Sequence, residues 1–246
     1  MDRGLFIAMS GAKQALSAQA LNANNLANMN TTGFRADLAR VRELQIQGTG
    51  LPTRVYGVIE NNGVSTTPGD IKHTGNDLDV AIQGKGFLVI MGPDGQEVLS
   101  RAGSLQVDSA GQLLTASGRQ VVGNGGPITL PPFEKVEIAN DGTISILGQG
   151  QDPSTLAAVD RLKLVNPPVA SLSKNAYGLL TAGTGAELVE DEEVKVVSGS
   201  IEGSNVIAIN AMTTMIDLAR KYESYVKLMK TMEEIDTNST KILSLS

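Results

Sequence analysis

The stretch from Ser204 to Ser246 reads SNVIAINAMTTMIDLARKYESYVKLMKTMEEIDTNSTKILSLS and contains neither glycine nor proline. Since those two residues interrupt helices, their absence over so long a stretch predicts one continuous α-helix. Its apolar residues recur at gaps of three, four and seven, which places them on one helical face. They are Met215, Leu218, Tyr222, Tyr225, Leu228, Met232, Ile235 and Ile242. At about 1.5 Å per residue the helix would be roughly 50–60 Å long, which is long for a globular protein.

A second helix is predicted at the N-terminal end of the sequence. The first 32 residues contain only Gly4 and Gly11 and no proline. The sequence predicts a helix that is capped at Asp2 and ends at Gly33. A heptad-like apolar stripe follows Leu5, Met9, Ala12, Leu16, Ala23 and Leu26. Five asparagines lie beside it, Asn22, Asn24, Asn25, Asn28 and Asn30, and because asparagine is a mediocre helix former they predict a face that hydrogen-bonds another surface.

The residues between these helices change to a period of two. Val136 and Ile138 alternate with polar residues before Asn140-Asp141-Gly142, and Ile144 and Ile146 continue the alternation after it, which is a hairpin signature. All nine prolines fall between Pro52 and Pro168, and further turn sequences suggest about ten short strands. The sequence therefore predicts an α+β fold. Two long terminal helices pack together as a coiled-coil-like pair, and a mainly antiparallel β domain is inserted between them.

This pattern divides the chain into three parts. Residues 1–34 and 204–246 are expected to form the helical domain, 35–76 an extended connector rich in glycine, threonine and asparagine, and 77–203 the β domain. Each helix gains stability only if another surface covers its apolar face. Two arrangements remain open at this point: an intramolecular helical hairpin, or packing of the helices between subunits.

Composition removes many function classes. The formal net charge is −6, so no excess of lysine and arginine is available to neutralise nucleic-acid phosphates or anionic lipid. The absence of cysteine excludes thiol catalysis and cysteine-ligated metals, and the single histidine, His73, excludes multi-histidine metal sites. The apolar run Leu5–Met9 is too short for a secretory signal, and no segment predicts membrane insertion.

The remaining candidates for chemistry all favour structural interpretations. His73 has no obvious partner, and Asp77 with Asp79 resembles a turn before a strand more than a glycosidase carboxylate pair. Gly84-Lys85-Gly86 lacks the spacing of a phosphate loop, and the acidic run Glu190–Glu193 is typical of a solvated loop rather than a calcium site. We therefore predict no catalytic residue, no cofactor and no metal, and a protein that is not an enzyme.

Four sequence blocks resemble the bacterial flagellar rod and hook proteins. The first is Asn24-Asn25-Leu26-Ala27-Asn28 with Asn30-Thr31-Thr32-Gly33-Phe34-Arg35, and the second runs from Leu78 to Phe87. Arg101-Ala102-Gly103-Ser104, continuing to Asp108 and Gly111-Gln112-Leu113, is the third, and Glu202-Gly203-Ser204-Asn205-Val206 is the fourth. The blocks occur in family order over nearly the whole chain. The short connector and the fourth block resemble the proximal rod protein at its junction with the distal rod.

The resemblance implies a structural function. Subunits of this family would assemble helically, with their terminal helices forming an inner tube around the export channel of a periplasm-spanning basal-body rod that transmits torque from motor to hook. The implied partners are further copies of the chain, neighbouring proximal and distal rod subunits, and the flagellar export apparatus, which exports subunits without a cleaved signal peptide. No nucleic acid and no membrane is an expected partner.

The expected assembly interface combines the helical stripes with the family blocks. Its residues are Leu5, Met9, Leu16, Asn24, Asn25, Leu26, Asn28, Gly33, Phe34, Ser204, Asn205, Val206, Met215, Leu218, Tyr222, Tyr225, Leu228, Met232 and Ile235. The alternatives are a distal rod subunit, a secreted carbohydrate-active enzyme built on the β domain, and a β-rich surface adhesin.

Overall fold

The computed structural model describes residues 3–39, 41–45, 55–59, 63–150, 156–175, 177–183 and 188–244. Its helices and strands are α1 (Arg3–Ala27), β1 (Asp37–Leu38), β2 (Val41–Gln45), β3 (Val55–Ile59), β4 (Gly63–Val64), β5 (Ile71–His73), β6 (Val80–Gln83), β7 (Phe87–Met91), β8 (Glu97–Ser100), β9 (Leu105–Val107), β10 (Leu113–Thr115), β11 (Val122–Gly123), β12 (Gly126–Pro127), β13 (Phe133–Ile138), β14 (Thr143–Gly148), β15 (Ala157–Arg161), β16 (Leu164–Val165), a 3₁₀ turn (Val169–Ser171), β17 (Leu172–Lys174), β18 (Leu180–Ala182), β19 (Lys195–Ser198), β20 (Ser200–Glu202) and α2 (Ala208–Ser244).

The chain forms two compact units, each built from separate stretches of sequence. The first unit contains α1, α2 and the strands β1 to β3, and the second contains residues 28–36 and 64–206. The predicted fold class is therefore confirmed: two helices from the ends of the sequence pack together, and a mainly antiparallel β region lies between them in sequence. Neither helix, in the residues described, is long and apolar enough to cross a membrane.

The helical unit is an antiparallel pair. Gly4 lies beside Met232, Gly11 beside Tyr225, and Asn22 hydrogen-bonds the carbonyl of Ala211, so residue numbers rise along one helix as they fall along the other. The 37 residues of α2 make a helix of about 55 Å, as its sequence predicts. Strands β2 and β3 pair antiparallel in this unit, with Val41 opposite Ile59.

The predicted end of the first helix is wrong. The helix ends at Ala27, and a turn in which the Thr31 amide donates to the Asn28 carbonyl (3.1 Å) precedes Gly33. Gly33 has a φ of +67°, and a side chain there would collide with the backbone of Arg101, so this glycine serves a close chain crossing rather than a helix cap. The predicted cap, Asp2, lies outside the described residues.

The β unit is organised around a five-stranded sheet in the order β16-β7-β8-β18-β17 and a three-stranded sheet in the order β13-β14-β15. Strand β7 is buried on both faces, since Leu88 and Ile90 belong to one apolar cluster and Phe87 and Val89 to another. That double burial explains why its sequence is continuously apolar instead of alternating. The remaining two-stranded pairs of this unit are β5-β20, β6-β19, β9-β10 and β11-β12.

The hairpin predicted across Asn140-Asp141-Gly142 is confirmed in register. Val136 lies opposite Ile146 and Ile138 opposite Ile144, and all four side chains are at most 5% exposed. The Asp141 carboxylate accepts hydrogen bonds from the amide (3.1 Å) and the hydroxyl (2.8 Å) of Thr143, which fixes the turn. The alternation therefore places its apolar residues in the core, as the period of two requires.

Candidate assembly surface

Small residues form the seam between α1 and α2. Ala8, Ala12 and Ala15 are buried, and a Cβ added at Gly4 would lie 2.7 Å from the Cε of Met232. A Cβ added at Gly11 would likewise overlap the ring of Tyr225. The absence of large side chains on this face lets the two backbones approach closely, and the ring of Tyr225 packs over the space that Gly11 leaves.

The large apolar side chains of α1 therefore lie outside the seam. Leu5, Met9 and Leu16 are 39%, 51% and 47% exposed, and Phe6 and Ile7 are also exposed. The predicted stripe is real as a pattern, but its large residues Met9 and Leu16 remain about half exposed. Its Ala12 is buried, and Leu5 lines a groove together with Met232 of α2. The smaller seam at Gly4, Ala8, Gly11 and Ala15 runs beside it, turned by roughly a quarter of a helical turn.

Helix α2 divides its apolar residues between the seam and solvent. Met215, Leu218, Tyr222, Tyr225 and Met232 are half-buried in the helical pair, whereas Leu228 and Ile235 are 43% and 56% exposed. Ile209, Met212 and Ile216 are exposed nearer the start of the helix. The intramolecular hairpin thus exists, and it leaves further apolar surface on both helices, so the two arrangements that the sequence left open are compatible.

The asparagines have more than one environment. Asn22 donates to the Ala211 carbonyl (2.6 Å), and Asn25 bonds both the amide and the carbonyl of Asp37 (2.8 and 2.9 Å) as a strand partner would. The Asn28 side chain accepts from the Thr31 hydroxyl (3.1 Å), while Asn24 is exposed. The predicted hydrogen-bonding role is therefore satisfied within the chain at Asn22, Asn25 and Asn28. Leu26, in the last turn of α1, is half-buried.

The first and fourth family blocks meet in the β unit. The Gly33 amide donates to the Glu202 carbonyl (2.8 Å), and the Asn205 amide donates to the Phe34 carbonyl (3.3 Å). The Asn205 side chain accepts from the Ala36 amide (2.8 Å) and donates to the Thr67 carbonyl (2.9 Å). Asn205 thereby joins its own segment to two others within the chain, and its place at an intermolecular interface stays a prediction.

The flanking residues of these blocks are also held in place. The ring of Phe34 lies under the Lys174 ammonium group, 4.4 Å from ring centre to nitrogen, and the Ser204 hydroxyl accepts from the Val206 amide (3.2 Å). Gly33, Phe34, Ser204, Asn205 and Val206 are all half-buried. In the isolated chain these five residues therefore lie where the segment after α1 contacts the segment before α2.

A buried ionic triad lies at this crossing and was missed by sequence reasoning. Glu202 forms salt bridges of 2.7 Å with Arg35 and of 2.7 Å with Arg101, and all three side chains are at most 2% exposed. Glu202 also accepts from the Gly69 amide (2.8 Å), and the Arg35 guanidinium donates to the Thr67 carbonyl. One signal was available: each of the three charged residues sits inside a family block.

The second block completes the environment of Arg101. Its guanidinium donates to the carbonyls of Ile82 (3.2 Å) and Gly84 (2.6 Å) and lies 5.3 Å from the ring centre of Phe87. Gly84 and Gly86, with φ of +79° and +118°, lie in the turn between β6 and β7, and this turn presents the Gly84 carbonyl to Arg101. The segment Gly84-Lys85-Gly86, whose spacing argued against a phosphate loop, is therefore a turn, and its backbone binds an arginine.

Burial dominates the electrostatics of the triad. It lowers the pKa of Arg35 from its ordinary value to about 10; Glu202 opposes that shift and Arg101 adds to it. Burial also lowers the pKa of Arg101, while the charge and the hydrogen bond of Glu202 act against the change. Both guanidinium groups remain protonated at neutral pH. The triad thus carries two positive charges and one negative charge inside the β unit.

The remaining candidate residues do not assemble into a catalytic centre in the described chain. His73 is exposed on β5, and its Nδ1 lies 3.4 Å from the Ser200 hydroxyl. Asp79 is 6% exposed whereas Asp77 is exposed, so they do not form a solvent-facing carboxylate pair. The described residues contain no group of three or more histidines and carboxylates placed to hold a metal ion.

Three family profiles match the chain in sequence order. They are the flagella basal body rod protein profile at residues 5–35, the flagellar hook protein FlgE/F/G D1 domain at 81–146, and the flagellar basal body rod FlgEFG protein C-terminal profile at 197–242. The chain is 42% identical to the flagellar basal-body rod protein FlgF of Salmonella typhimurium over 252 aligned positions, covering 100% of both chains. It belongs to the flagellar basal-body rod protein family.

Other members of the family match at lower identity. FlgF of Escherichia coli is 40% identical over 100% of both chains. The flagellar basal-body rod protein FlgG of Buchnera aphidicola from Acyrthosiphon pisum is 32% identical, with 91% of this chain and 94% of the relative aligned. Both FlgF proteins are thus more similar to the chain than this FlgG protein. The resemblance that the four blocks indicated is confirmed, and the homologues are structural rod proteins.

Proposed function

We propose that this chain is a structural subunit of the flagellar basal-body rod and works at the proximal part of the rod, next to the distal rod. The observation that carries the proposal is the exposed apolar surface on α1 and α2 beside a seam already closed by small residues. Leu5, Met9 and Leu16 require a covering surface that the helical pair itself does not provide. Greater identity to FlgF than to FlgG supports the proximal over the distal assignment.

In this proposal the helices of many copies pack side by side into the wall of a tube. The predicted helical domain, residues 1–34 and 204–246, supplies that wall, 77–203 form the β domain, and 35–76 connect the two. The lumen serves as the export channel, and the subunits travel through the flagellar export apparatus without a cleaved signal peptide. The buried triad ties three separate segments of the β unit together, which suits a shaft that transmits torque.

An acidic substitution on the exposed face tests the proposal. In cells that carry an in-frame deletion of the gene, Leu16→Glu should fail to restore swimming, because it would bury an unpaired charge between subunits. Val189→Glu is the matched control: it makes the same kind of change at a position of the β domain that is 69% exposed. Electron microscopy of basal bodies should show shortened rods with Leu16→Glu and full rods with Val189→Glu. Full rods and normal swimming in the deletion strain itself would contradict the rod function.

A further inference from the structure

An apolar groove lies on the helical pair near the start of α1. Its floor is formed by Leu5, Val226, Met229 and Met232, and the groove has a volume of about 410 Å³. That volume falls within the roughly 300–1,000 Å³ of well-formed ligand pockets, so a large side chain can enter. The charged residues at its rim are Lys230, Glu233 and Asp236.

The most distinctive exposed side chain of α1 is Phe6. It is the only aromatic residue in the helix and is 50% exposed, in a chain with only four phenylalanines and four tyrosines. At about 100° per residue, Phe6 points roughly opposite to the seam of Gly4, Ala8 and Gly11. The helical pair therefore presents an aromatic side chain on one side and an apolar groove elsewhere on its surface.

The charges of the two surfaces are complementary. Lys13 lies on the same face of α1 as Phe6, about two turns further along, and the helix contains no acidic residue. The groove rim carries Glu233 and Asp236 against a single Lys230. An α1 helix that approaches the groove therefore brings positive charge to a rim whose net charge is negative, which favours this pairing over acidic partners.

We propose that Phe6 of one copy of this chain inserts into the Leu5–Met229–Met232 groove of a second copy. The contact joins two different surfaces, so it is heterologous and can repeat from copy to copy as a ring or a helix instead of closing a two-fold dimer. The inference rests on the proposed function and names one contact within it. An aromatic anchor in a pocket is the usual form of an interface hot spot.

Cysteine cross-linking tests the contact, since the chain has no cysteine of its own. Ser10 lies one turn after Phe6 on the same face of α1, and Glu233 lies at the groove rim. Two single-cysteine chains, Ser10→Cys and Glu233→Cys, are produced together in the deletion strain, each with a different tag. Purified basal bodies are then oxidised, and a product with both tags at twice the 25.7 kDa monomer mass is expected. Because the cysteines are on separate chains, this product forms only between subunits.

Two further variants make the result specific to Phe6. Adding Phe6→Ala to the Ser10→Cys chain should reduce the doubly tagged product at least tenfold, whereas Val189→Ala, at an exposed apolar position of the β unit, should leave it within twofold. If either cysteine chain alone does not support swimming, Lys13→Cys and Asp236→Cys replace it on the same two surfaces.

The outcomes separate the contact from the function. Normal rods without the doubly tagged product, or with a product that survives Phe6→Ala, would overturn the contact and leave the rod function standing. A product that joins Glu233→Cys to a different rod protein would overturn the assignment of a second copy as the occupant. Absence of the tagged wild-type chain from purified basal bodies would instead overturn the proposed function itself.

Discussion

Replacing Glu202 with glutamine should destabilise the β unit strongly. Glutamine keeps the size of the side chain and a carbonyl oxygen that can accept from Gly69, but it removes the one negative charge between Arg35 and Arg101. Both salt bridges are 2.7 Å long and their side chains are at most 2% exposed. Water therefore cannot replace the lost partner, and two like charges remain buried together.

The expected loss can be worked from the burial of the triad. Breaking a buried ion pair by removing one partner costs about 3–5 kcal/mol, because the remaining charge is left uncompensated. For a domain of about 150 residues, 1 kcal/mol lowers Tm by roughly 2–4 °C. Glu202→Gln should therefore lower the Tm of the β unit by about 6–20 °C. A loss of this size is a large part of the roughly 5–15 kcal/mol that stabilises a typical domain.

The assay is differential scanning calorimetry of the full chain at pH 7, with Glu137→Gln as the matched control. Glu137 makes an ion pair of the same kind with Lys135 (2.8 Å), but both side chains are about half exposed. The control should change Tm by no more than about 4 °C, since exposed ion pairs contribute about 0–1 kcal/mol. Adding Arg35→Met to Glu202→Gln should restore part of the loss by removing one uncompensated charge. If the Tm of Glu202→Gln equals that of the Glu137→Gln control, the reasoning about the triad is refuted.

Two smaller changes test the helical seam and the central hairpin. Gly11→Ala should weaken amide-exchange protection in α1 and α2 by about 1–3 kcal/mol, because the new Cβ overlaps the Tyr225 ring. The control Lys13→Ala, on the exposed face of α1, should leave the protection unchanged. Equal protection in both variants would contradict the close approach of the two helices. Hydrogen bonds from the Thr143 amide and hydroxyl hold the pKa of Asp141 below its ordinary value of 3.8, so its stabilising effect is present above that pH and disappears as the pH falls through the lowered value. Asp141→Asn should therefore reduce the acid sensitivity of Tm below about pH 4, and an unchanged Tm profile there would contradict this role.

The hairpin and the long helix were predictable because their signals are local. Alternation on either side of Asn140-Asp141-Gly142 fixes both the strands and the residues that face the core, so Val136 and Ile146 could be assigned without knowledge of the rest of the chain. The helix from Ala208 to Ser244 likewise follows from the absence of breakers and the spacing of its apolar residues.

The seam of the helical pair was not predictable from hydrophobicity. A pattern of large apolar residues indicates where a helix needs cover, but it does not say which molecule provides that cover. In α1 the intramolecular contact uses Ala8 and Ala15, whose small size permits close approach, and the larger Met9 and Leu16 remain exposed. The sequence indicated that α1 has an apolar surface, but only the structure showed which of its faces contacts α2 and which remains exposed.

The triad was missed for a different reason. Arg35, Arg101 and Glu202 are far apart in sequence, and charged residues are expected at the surface unless paired. Nothing local signals that the three meet. Their positions inside separate family blocks were a clue, but it pointed to intermolecular assembly rather than to a buried contact.

The size of the exposed helical surface explains why such a subunit would act in a polymer. Fully burying a Leu, Met or Phe side chain gains about 1.5–3 kcal/mol, so a side chain that is already half covered gains about half as much. The five exposed side chains of α1, from Leu5 to Leu16, therefore offer roughly 4–8 kcal/mol to a neighbour. Association itself costs an estimated 4–15 kcal/mol, so a single pairwise contact between two such helices is close to balance. A subunit that docks beside several neighbours at once makes several such contacts but loses its rotational and translational freedom only once. After the first contact forms, each further contact behaves as an intramolecular one. Growth onto an existing rod is thus favoured over pairing in free solution.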